Sequence, residues 1–128
     1  MNRPKVITET VRVLKAEYPA MNVYPESQTG LKTKPYLVVA VSSEDPHDLL
    51  IGASELDMEF IIGENDEDGG GLDPETVNDF ICSDEFRTEI NLGGIIDTHR
   101  VEITGTEIER EETSTMQTIL AKLWCFRV

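Results

Sequence analysis

The chain has 128 residues, of which 39% are hydrophobic and 28% charged, and these proportions are those of one globular domain with one core. Its 25 acidic residues against 11 Lys and Arg give a net charge of −14, which opposes tight nucleic-acid binding, because affinity for phosphates depends on cations displacing counterions. No run approaches the ~20 apolar residues of a membrane-spanning helix, and the opening MNRPKVITETVRV lacks the apolar run of a signal peptide.

Charge is unevenly spread. Residues 1–34 carry Arg3, Lys5, Arg12, Lys15, Lys32 and Lys34 against Glu9, Glu17 and Glu26, a balance of +3, which leaves −17 for the remainder. A basic end and an acidic body suit a heterologous contact, one copy's basic patch meeting the next copy's acids in a ring or filament. The competing account is a basic helix face that is merely solvated.

In chain order, Pro4 is placed for a helix N-terminus, and Ile7, Val11, Leu14 and Tyr18 follow at steps of four, three and four, the stripe of an amphipathic helix of about four turns. Lys5, Arg12 and Lys15 fall on another face of it, and Pro19 ends it. MNVYP reads as a short strand and ESQTGLKTK as a loop. In PYLVVAVSS both faces are apolar, Tyr36, Val38 and Ala40 on one and Leu37, Val39 and Val41 on the other, as in a central, covered strand; this segment is the expected middle of the sheet.

ASELDMEFII alternates, with Leu56, Met58, Phe60 and Ile62 towards a core and Glu55, Asp57 and Glu59 forming an acid ladder on the reverse. After the glycine-rich GENDEDGGG, Asp73-Pro74-Glu75 supplies an N-cap, a first-turn proline and an acid matched to the helix dipole. Val77, Phe80 and Ile81 form that helix's apolar face; Ser83-Asp84-Glu85 reads as a new cap, which assigns Phe86 and Ile90 to a second short helical piece, and Gly93-Gly94 is the exit. Residues 97–110 and 115–126 read as two strands of a hairpin.

The last strand has no plainly solvated side: Met116, Leu120, Trp124 and Phe126 share one face, Ile119, Ala121, Leu123 and Cys125 the other. The extra apolar face fits either a partner or a second small core under the loops. The order α, β, β, β, α, β, β describes one domain over residues 1–128. The expected class is α+β, a mainly antiparallel sheet of four to five strands with two helices packed on one face.

Chemical constellations are sparse. Residues 64–75 mimic a calcium loop, with oxygens at the first, third and fifth places, Gly69 at the sixth and Glu75 at the twelfth. Glu64 stands where Asp is usual, Gly71 where an apolar residue is needed, and a strand precedes the run, so a solvated acidic loop is the preferred reading. Asp57 and Glu59 lie roughly 7 Å apart on one strand face, a spacing that acid–base pairs use, but alternating strands produce it by chance. His47 and His99 join no zinc pattern. Cys82 and Cys125 form no close pair and read as buried, reduced thiols rather than a disulfide or thiol metal site. Nucleophile, Walker and dinucleotide motifs are absent from the sequence. No enzyme activity, cofactor or metal is expected.

An N-terminal amphipathic helix, Val23-Tyr24-Pro25, a polar loop, Lys34-Pro35-Tyr36 opening an apolar strand, a mid-chain helix and a closing hairpin together resemble the tail terminator, or tail-to-head joining, proteins of long-tailed bacteriophages. The resemblance spans nearly the whole chain through length, element order and texture, without a diagnostic motif. It implies a structural virion protein of the tail or neck, assembled in the host cytoplasm. Such a protein forms a homo-hexameric ring that caps the tail tube, stops its polymerisation and meets the head connector. Tail tube protein and head connector protein are the partners so implied, with DNA passing nearby and no membrane involved.

Physical reasoning adds two expectations to that resemblance. Glu55, Asp57 and Glu59 are candidates to line a bore that repels DNA, and Lys5, Arg12, Lys15, Lys32 and Lys34 are candidates for the subunit interface. The alternative from another class is an acidic inhibitor or nucleic-acid mimic that binds a basic partner through its carboxylates.

Overall fold

The computed structural model of the chain describes residues 3–27, 36–46, 53–65, 74–110 and 114–127. The elements run α1 (Arg3–Glu17), β1 (Asn22–Pro25), β2 (Tyr36–Pro46), β3 (Ala53–Asn65), α2 (Pro74–Ile81), α3 (Asp84–Asn91), β4 (Ile96–Arg110) and β5 (Ser114–Arg127).

The strands form one sheet in the order β1-β2-β3-β5-β4. β1 pairs in parallel with β2, and every other pairing is antiparallel. The class is therefore α+β, with a five-stranded, mostly antiparallel sheet. Two expectations change. The middle strand is β3, because β1 adds to the far side of β2. The helices number three among the described residues, because Ser83 separates α2 from α3. Its side chain accepts from the Phe86 N–H at 3.2 Å while its own N–H reaches the Phe80 carbonyl. One helix closes and the next opens on the same residue.

All three helices pack on one face of the sheet, and alternation along each strand decides what they cover. Leu37, Val39 and Val41 of β2, Leu56, Met58, Phe60 and Ile62 of β3, and Ile119, Ala121, Leu123 and Cys125 of β5 point into that layer and are buried. Against them lie Val6, Ile7, Val11, Val13 and Leu14 of α1, Val77, Phe80 and Ile81 of α2, and Phe86 and Ile90 of α3. Each fully buried aliphatic or aromatic side chain contributes about 1.5–3 kcal/mol. Tyr18, Phe80 and Phe86 join the three helices in successive edge-to-face contacts, with ring centroids 5.9 and 5.6 Å apart. Gly94 leaves α3 with φ of 71°, a left-handed conformation that favours glycine.

The buried face of α1 is wider than its apolar stripe, since Glu9 and Thr10 are also buried. Glu9, 5% exposed, accepts from Arg12 Nε at 2.6 Å, and its carboxylate occupies the space that a Cβ on Gly93 would need. Arg12 Nη2 also donates to the Glu89 carbonyl at 2.8 Å. A cation at the C-terminal end of α3 complements the helix dipole, so this pair clamps α1 to α3. The cysteines divide: Cys125 is buried as expected, but Cys82 is exposed. Cys82 comes just after α2, where the chain has turned away from the face carrying Val77, Phe80 and Ile81.

Candidate functional site

With all helices on one side, the reverse side of the sheet carries no second layer among the described residues. The register sets its side chains in rows from β2 to β4. One row is Asp45, Glu55, Trp124 and Arg100; the next is Ser43, Asp57, Lys122 and Glu102; a third is Ala40, Glu59 and Leu120, reaching Gly105. Val38, Ile61, Thr118 and Glu107 follow, then Tyr36, Gly63 and Met116. Glu55, Asp57 and Glu59 do share one face, as alternation requires, and each is half-buried.

The ladder is tied into a network. Trp124 Nε1 donates to Glu55 Oε1 at 2.9 Å, and Ser43 Oγ donates to Asp57 Oδ2 at 2.6 Å. Lys122 Nζ stands 3.9 Å from both Glu55 Oε2 and Asp57 Oδ1. Arg100 lies 4.7 Å over the Trp124 ring, a cation–π distance, and 3.2 Å from Glu102. Ion pairs this exposed contribute little stability; their effect is to orient Trp124 and two of the three acids. The face stays acidic, because Asp45, Glu55, Asp57, Glu59, Glu102 and Glu107 outnumber Lys122 and Arg100.

Of the candidate interface cations, those on α1 lie on the helix layer, away from this face. Lys5, Arg12 and Lys15 are all exposed on α1, although Arg12 is committed to Glu9 and Glu89. Lys32 and Lys34 lie outside the described residues. α1 packs over β1 and β2, while α3 packs over β4. The domain therefore has a margin with the basic helix and a margin formed by β4, which carries Asp97, Glu102 and Glu107 against Arg100. Among the described residues, clefts border α1 on two sides. One of about 270 Å³ is lined by Pro4, Ile7, Thr8, Pro25, Glu26 and Ser27. The other, about 210 Å³, lies between Arg12, Val13, Ala16 and Glu17 on one side and Phe80, Glu85 and Glu89 on the other.

Burial pushes the Tyr18 phenol up to about 12, with Glu17 and Asp79 adding to the effect, and pushes the Cys125 thiol up to about 11, with Glu44 and Asp97 adding. Both shifts favour the neutral form, the opposite of an activated nucleophile. Asp57 and Glu59 sit on an open face, and neither lines the two clefts beside α1. His99 packs against Phe126 at 5.1 Å, with Nδ1 buried and unpartnered. His47 and most of the calcium-like run, residues 66–73, lie outside the described residues. Among the described residues no group of His, Cys, Asp and Glu is placed to hold a metal ion, and no helix is long and apolar enough to cross a membrane.

The network around Trp124 had no signal in the sequence, because it needs Glu55 of β3 and Arg100 of β4 on either side of β5, and register between distant segments is invisible in periodicity. The buried Glu9 had a faint one, its spacing of three from Arg12. No protein-family model matches the chain, and no curated protein matches it either.

Proposed function

We propose that the protein is a structural part of a virus particle, a tail terminator whose copies form a ring at the head-proximal end of a phage tail tube, stop its growth and join it to the head connector. The observation that carries this reading is the acidic sheet face of Glu55, Asp57 and Glu59, without a helix over it among the described residues, on the opposite side of the sheet from the helix that bears Lys5 and Lys15. A ring that turns this face inward has a bore lined by Glu55, Asp57 and Glu59, which repels phosphates and lets DNA pass without adhesion. The protein works through surfaces. Orientation of Glu55 and Asp57 by Lys122, Trp124 and Ser43 keeps the lining fixed.

Electron microscopy of the assembled particle tests this: the three carboxylates are expected on the inner wall, and finding them on the outer wall refutes the bore. The same face supports a second reading, an acidic inhibitor or nucleic-acid mimic. It differs in expecting a monomer or dimer that binds a basic protein with strong salt dependence.

A further inference from the structure

We draw no further inference here: the strongest candidate, the cleft between α1 and the pair α2 and α3, walled by Val13 and Phe80 and rimmed by Glu17, Glu85 and Glu89, rests on an acidic cluster alone, and nothing in the structure shows what covers it.

Discussion

Tyr36 and Gly63 face each other across β2 and β3, and the ring occupies the space a Cβ on Gly63 would need. Glycine is required there by the close approach, so Gly63→Ala is expected to displace the ring at a cost of about 1–3 kcal/mol, the range for overpacking, measured as a fall in the urea midpoint. Tyr18 makes a pH prediction. Its phenol stays neutral in the folded chain up to about pH 12, against an ordinary value of 10.0 in the unfolded chain. Its contribution is complete below pH 10 and is lost as pH rises towards 12. Cys125, shifted from 9.0 to about 11, has the same sign. Stability should therefore decline above pH 9, and Tyr18→Phe should remove the part of the decline between pH 10 and 12, as followed by urea midpoints at each pH. At this scale the sequence was a partial guide. Hydropathy placed Phe60 and Leu56 inside but had no means of placing Glu9 inside, because only Arg12 and Gly93 make that burial tolerable.

The helices and strands were more legible, because their ends carry local chemistry. Pro19 follows the end of α1 closely, Ser83 caps α3, Gly94 takes the left-handed turn, and alternation in β3 separates Leu56, Met58, Phe60 and Ile62 from Glu55, Asp57 and Glu59. Ser83→Ala is expected to cost about 1 kcal/mol, the usual value of an N-cap. Phe86→Ala, which removes a fully buried ring packed edge-to-face on Phe80, is expected to cost about 3–5 kcal/mol; both are read from denaturation curves. What remained hidden was pairing. The apolar residues on both faces of β2 pointed to the sheet's centre, but β2 is second in the sheet, and Val38 and Ala40 are buried there all the same. Parallel addition of β1, and insertion of β5 between β3 and β4, depend on contacts between distant segments that no local period encodes.

For the whole molecule, the net charge of −14 resolves into a layout: an acidic sheet face with Trp124, Lys122 and Arg100 built into it, and a basic helix on the other side of the core. The uneven charge along the chain foreshadowed this, since α1 carries Lys5, Arg12 and Lys15. That Arg12 turns inward to Glu9 and Glu89 did not follow from it. The proposed ring would bring such surfaces of unlike charge together from copy to copy. The most direct test is the mass of the purified chain by light scattering from low to high concentration. The tail-terminator reading expects a closed assembly of six 14.3 kDa chains that keeps one mass once formed; a single-chain mass at every concentration contradicts it.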